Sequence, residues 1–206
     1  MPFSPSQALT STTALLAGGA LGVLAPLIGA VGGTSARVAD LVLAAGWSWA
    51  ALAFCAGFSQ PSKKRSALLA IASLVIAVVA YYVTKLGQGN FLAADLNDPS
   101  GKTTYINWFD FLSKMAVWCV AACILGPLLG FAGNLARNGR LRNLPFRIVV
   151  PVIAIIDTSQ RLQLDAPLQG PTAAMTWSVI RLIAAASIVA ILVHAVITSR
   201  SRLSSK

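Results

Sequence analysis

Long apolar stretches separated by short polar gaps set the pattern of this chain. Five runs stand out, over 14–31, 41–58, 67–86, 108–131 and 176–196. Each, as a helix rising about 1.5 Å per residue, is long enough to cross a hydrocarbon core about 30 Å thick. A further stretch, 144–156, holds only about 13 residues and contains Pro151, so in isolation it reads as re-entrant or interfacial. The gap 87–106 is rich in Gly, Asn and Asp, with a Pro-Ser-Gly turn at Pro99, and reads as a loop. The pattern predicts one all-α domain over 1–206, a polytopic transmembrane helix bundle.

Charge decides how many times the chain crosses. If 144–156 crosses too, one side collects Lys63, Lys64, Arg65, Arg137, Arg140, Arg142, Arg147, Arg200, Arg202 and Lys206, without a single acid. The remaining cations, Arg37, Lys85, Lys102, Lys114, Arg161 and Arg181, share the other side with Asp40, Asp95, Asp98, Asp110, Asp157 and Asp165. Cytoplasmic loops retain Lys and Arg, so this positive-inside asymmetry predicts six helices with both termini in the cytoplasm. The short fifth helix must then extend over 144–164, carrying Asp157, Gln160 and Arg161 into the outer leaflet or its interface. Such a helix is expected to face protein rather than lipid. Trp108 and Trp177 are placed where an outer aromatic belt would lie.

Composition agrees with lipid as the solvent: 56% of residues are hydrophobic and only 11% are charged, against about 25% in ordinary soluble domains. The net charge of +10 sits in short clusters beside apolar runs. Anionic lipid headgroups are therefore the nearer partner, and nucleic acid is not expected. Cys55, Cys119 and Cys123 all lie within apolar runs, which fits packing better than a disulfide framework or a zinc site. No HExxH, nucleophile elbow or P-loop occurs, and no cofactor, metal or enzymatic activity is implied. His194, the single histidine, stands without a clustered acid or thiol and reads as an interfacial residue.

Close approach through small residues is expected to hold the bundle together, because water supplies no driving force inside lipid. Gly18, Gly22, Ala25 and Gly29 share one face of the first helix, and Gly46, Ala50, Ala53 and Gly57 one face of the second. On the fourth, Cys119, Cys123, Gly126 and Gly130 oppose Asp110, Lys114 and Trp118. Ionisable residues within spans are the candidate site: Asp40, Asp110, Lys114, Asp157, Arg161 and Arg181. Asp110 with Lys114, and Asp157 with Arg161, stand four residues apart, the spacing of a helix ion pair. Arg181 is expected about five residues inside the sixth helix. Two readings stay open, a polar cavity that handles a proton, cation or anionic group, and an ion-pair lattice that ties helix ends together.

The segment Trp49-Ala-Ala-Leu-Ala-Phe-Cys-Ala-Gly57, a basic turn, and a helix ending Tyr81-Tyr82-Val-Thr resemble an uncharacterised bacterial family of small multi-helix membrane proteins. Gly126-Pro-Leu-Leu-Gly-Phe-Ala-Gly133 followed by Asn134-Leu-Ala-Arg137 is similar to that family's other recurrent segment. The resemblance spans roughly 41–137 and implies a multi-pass domain of the bacterial plasma membrane with no assigned activity. Function is therefore argued from the residues alone. A non-enzymatic bundle that binds or supports a partner in the bilayer, a membrane protein or a second copy, accounts for the small stripes and short loops. A small transporter or channel with an outer-half polar site is the alternative.

Overall fold

The computed structural model describes residues 5–95, 103–138 and 141–204, with the backbone alone at 5–7, 141 and 199–204. Asp98, Pro99, Lys102, Arg140 and Lys206 lie outside the described residues, as do the side chains of Arg200 and Arg202. In chain order the helices are α1 Pro5–Ala30, α2 Thr34–Leu43, α3 Gly46–Phe58, α4 Lys63–Gly87, α5 Trp108–Ala136, α6 Leu144–Arg147, α7 Val149–Leu164, α8 Ala166–Gln169 and α9 Pro171–Ser204. Four stretches, Ala8–Ala30, Lys63–Gly87, Trp108–Ala136 and Pro171–Thr198, are long and apolar enough to cross a membrane. A fifth is added if α2 and α3, bent by 54°, count as one broken span. The protein is thus an all-α bundle of apolar helices with four to five candidate spans.

Several elements depart from the hydropathy pattern for identifiable reasons. α1 starts at Pro5, well before the apolar run, with a proline in its first turn, and its hydroxyls are taken up along the helix: Thr12 and Thr13 donate to the Ala8 and Leu9 carbonyls at 3.0 and 2.9 Å. α9 likewise starts early, at Pro171, where a missing N–H costs nothing. Gly170, at φ 84°, makes the turn into it. The second apolar run is broken at Ala44 and Ala45, where Ala45 turns extended. The break is bridged by side chains: Ser48 Oγ donates to the Val42 carbonyl and the Trp49 indole to the Leu43 carbonyl at 3.1 Å. The 87–106 gap, read as plain loop, contains a short antiparallel hairpin, Leu92–Ala94 paired with Thr104–Ile106. Phe91 anchors it among Val78, Tyr82 and Phe111.

α4 is the central helix, packed against α1, α3 and α5. Its Leu69, Ala70 and Leu74 meet small partners, Ala53 and Ala56 of α3 and Ala122 of α5, in one buried cluster. A Cβ at Gly57 would overlap the Gly130 backbone, and one at Gly130 the carbonyl of Ser66. Gly18 and Gly22 seat α1 against the Ser73 and Ala77 carbonyls in the same way. The predicted small-residue faces of α1 and α3 are therefore packing faces. On α5 the tight face is carried by Gly126 and Gly130, whereas Cys123 is exposed.

Polar side chains tie the end of the bundle that carries the Lys63–Arg65 turn. Buried Asn134 donates to the Gln60 carbonyl at 2.7 Å, and Gln60 Nε2 reaches Ser11 near the start of α1 at 3.3 Å. Arg147 Nε donates to the Ala136 carbonyl at 3.2 Å, which fixes the start of α7 near this same end. α7 then runs between α3 and α9, and α9 returns alongside it to contact α6. At the far end Leu41, Ala173 and Trp177 form a third buried cluster. Trp177 is fully buried there, which corrects its placement in an aromatic belt: Leu41 of α2 and Leu162 of α7 pack over this turn of α9 and cover the indole. Trp108, by contrast, is 55% exposed.

Candidate functional site

The predicted polar residues fall into local pairs. Asp110 and Lys114 meet at 2.9 Å on an exposed face of α5, with the lysine 5.8 Å from the Phe91 ring centre. Asp110 also lies in the first turn of α5, whose N-cap Asn107 accepts from the Asp110 N–H at 3.0 Å. Asp40 faces Arg37 at 4.0 Å and rests on Gly29, where a Cβ would stand 2.8 Å from its Oδ1. Arg37 in turn donates to Gln169 at 2.8 Å, linking α2 to the turn before α9. Arg181 is exposed and makes no ion pair among the described residues. It stands ten residues into α9, about 15 Å from Pro171, rather than five, because the helix begins earlier than the apolar run.

Asp157 and Arg161 are the pair set deepest in protein. Arg161 Nε donates to Asp157 Oδ1 at 3.1 Å, and both side chains are about a quarter exposed or less, at 27% and 21%. The same guanidinium faces Asp165 at 3.9 Å and lies 5.9 Å from the Trp177 ring centre. Asp157 stands eight residues into α7, near its middle, and its Oδ1 would lie 3.7 Å from a Cβ on Gly46. The carboxylate is therefore aimed at the first residue of α3, the place where the second span is broken. Broken backbone at membrane depth is tolerated where it lines a cavity or is covered by protein. The positive end of the α3 dipole there also favours a nearby anion. Asp157 Oδ2 is enclosed yet has no hydrogen-bond partner.

A groove of about 750 Å³ opens beside this pair. α5 and α7 form its two walls without packing extensively on each other, and α3 and α4 form its floor. Trp118, Leu125 and Leu128 line one wall and Ile153 and Ile156 the other; the first three and Ile156 are at least half exposed, so the groove opens sideways onto the exposed apolar surface of the bundle. Asp157, Gln160 and Arg161 form its polar end, with Trp49, Tyr81 and Tyr82 close by on the floor. Trp49 meets Tyr81 edge-on at 5.8 Å and Tyr81 meets Tyr82 at 5.4 Å.

The aromatic floor and the groove were not legible in the run lengths. The one available signal was Gly46 inside the apolar run 41–58. His194 is exposed on α9, and among the described residues no three of His, Cys, Asp and Glu converge as a metal site. Comparison with protein-family models, curated proteins and solved structures finds no match to this chain.

Proposed function

We propose that this is a six-crossing protein of the cell membrane, with both termini cytoplasmic, that binds an apolar membrane-resident molecule in the groove between α5 and α7 without catalysis. The carrying observation is the groove itself: about 750 Å³, within the usual range of a small-molecule site, mostly apolar, and open toward lipid. A groove filled only by bulk lipid needs no ionic residue in its wall. This one has Asp157 and Arg161 at one end, in a setting where charges are costly and mark function by default.

Topology supports the reading. α7 has 16 residues and spans about 24 Å, short for a bilayer core on its own. Yet it starts near the Lys63–Arg65 end, through Arg147 and Ala136, and finishes at Leu162 beside the Leu41–Trp177 cluster at the other. Protein on both sides relieves it of the full length that a lipid-bathed helix requires. Counting it as a passage leaves the basic clusters on one side, as the positive-inside rule asks.

A hydrocarbon carrying a photoactivatable diazirine tests the binding reading. Irradiated in liposomes, it should label the peptides around Trp118–Leu128 and Ile153–Gln160 well above the lipid-facing surface of α9. Filling the groove with Ala121→Trp should abolish that enrichment. Uniform labelling of all exposed apolar faces, unchanged by the substitution, would contradict a specific site.

A further inference from the structure

The charges at the end of the groove specify what it holds. Two carboxylates, Asp157 and Asp165, flank one guanidinium, that of Arg161. These three groups sum to one negative charge, set beside the positive end of the α3 dipole and, across the Tyr81 ring, the Lys85 ammonium. Arg161 is committed on both flanks: its Nε goes to Asp157 Oδ1 and its Nη1 faces Asp165. An anionic headgroup arriving here would meet two carboxylates and a guanidinium already engaged. A donor would meet Asp157 Oδ2, a buried acceptor with nothing bonded to it, and a buried carboxylate oxygen left unpaired is costly.

The floor beside it offers what ammonium groups favour. Trp49 lies one helical turn from Gly46, the residue facing Asp157, and with Tyr81 and Tyr82 it presents a run of edge-to-face rings to the groove. Aromatic faces attract cations, the more so as water is excluded. Tyr81 already holds the Lys85 ammonium at 5.1 Å from its ring centre, a contact that an incoming amine would share or displace. Beyond the rings the lining is aliphatic, with Ala50, Leu74, Ala122, Leu125, Leu129 and Ile153.

We infer that the groove takes a lipophilic ammonium: a hydrocarbon body lying between α5 and α7, with a protonated amine donating to Asp157 Oδ2 beside the Trp49 and Tyr81 rings. This rests on the groove being a binding site, and it adds the sign and donor character of the headgroup.

The test is competition among three probes that share one chain, dodecylammonium, dodecanol and dodecyl phosphate, bound to the full chain in zwitterionic nanodiscs and read by native mass spectrometry against empty discs. Dodecylammonium should bind at least tenfold tighter than either of the others. Asp157→Asn should bring it down to the level of dodecanol, and the double variant Asp157→Asn with Arg161→Gln, which strands no charge, should do the same should the single variant fail to fold. Preference for dodecyl phosphate, equal binding of all three, or full ammonium affinity in the Asp157 variants would overturn the inference while leaving the groove as a site. Binding of none of the three, in a chain whose Ala121→Trp variant behaves identically, would overturn the groove reading itself.

Discussion

Asp157 is the residue on which local energetics and candidate function meet. Its ion pair with Arg161 is mostly enclosed, so removing one partner leaves the other charge in a poorly solvated site. Asp157→Asn is expected to destabilise the protein by about 1–3 kcal/mol, and adding Arg161→Gln should recover much of that loss. Thermal unfolding of the single and double variants in one detergent checks this, and equal midpoints would contradict the coupling. Arg181 is exposed and outside that network, so Arg181→Leu should shift stability by no more than about 0.5 kcal/mol in the same assay. The sequence spacing of Asp157 and Arg161 made their pairing legible, and likewise Asp110 with Lys114. It did not make legible that Arg181 stands apart, because that depends on where α9 begins, and Pro171 starts the helix five residues ahead of the apolar run 176–196.

At the level of elements, helix contacts through glycine set the architecture. Gly57 and Gly130 approach backbone to backbone, so Gly130→Ala must push against Ser66 and Ala70, with an expected cost of about 1–3 kcal/mol. Gly32, which has open space where a Cβ would stand, should accept Ala with little effect; a matched pair of unfolding curves separates the two. The break between α2 and α3 offers a second check. Trp49→Phe keeps the ring but removes the donor to the Leu43 carbonyl, and an unpaired carbonyl costs about 1 kcal/mol or more. The small-residue periodicity of α1 and α3 announced these faces, since spacing on a helix is fixed by its pitch. The break was hidden because Ala44 and Ala45 are as apolar as their neighbours, and hydropathy carries no record of a turned backbone. The hairpin was hidden for a related reason: its strands are three residues each and it is held by Phe91 in a distant cluster.

For the whole molecule, charge sidedness and packing point to the same course of the chain. The cations near 63–65 and 137–147 gather at one end, where Gln60, Asn134 and Arg147 cap neighbouring helices, and the Asp40 and Asp157 pairs lie toward the other. Lipid-facing surface is extensive on α5 and α9, with Val117, Ile124, Leu128, Leu182, Ile183 and Val193 all at least half exposed. That distribution suits a bundle whose solvent is hydrocarbon, and the α5–α7 groove opens from it with an ionic end. The all-α class and most of the spans were legible in run length alone. Run length does not mark α7 as a span, and a crossing there is argued from charge alone, since a helix packed between α3 and α9 need not be long or uniformly apolar.

In the proposed course α7 passes through the bilayer, which places Gln169 opposite both the Lys63–Arg65 turn and the C-terminus. Paired phosphatase and fluorescent-protein fusions at Lys64, Gln169 and Lys206 measure this directly. The expected result is fluorescence without phosphatase activity at Lys64 and Lys206 and the reverse at Gln169; a C-terminus on the side opposite Lys64 would contradict the six-crossing course, and with it an Asp157 held inside the membrane.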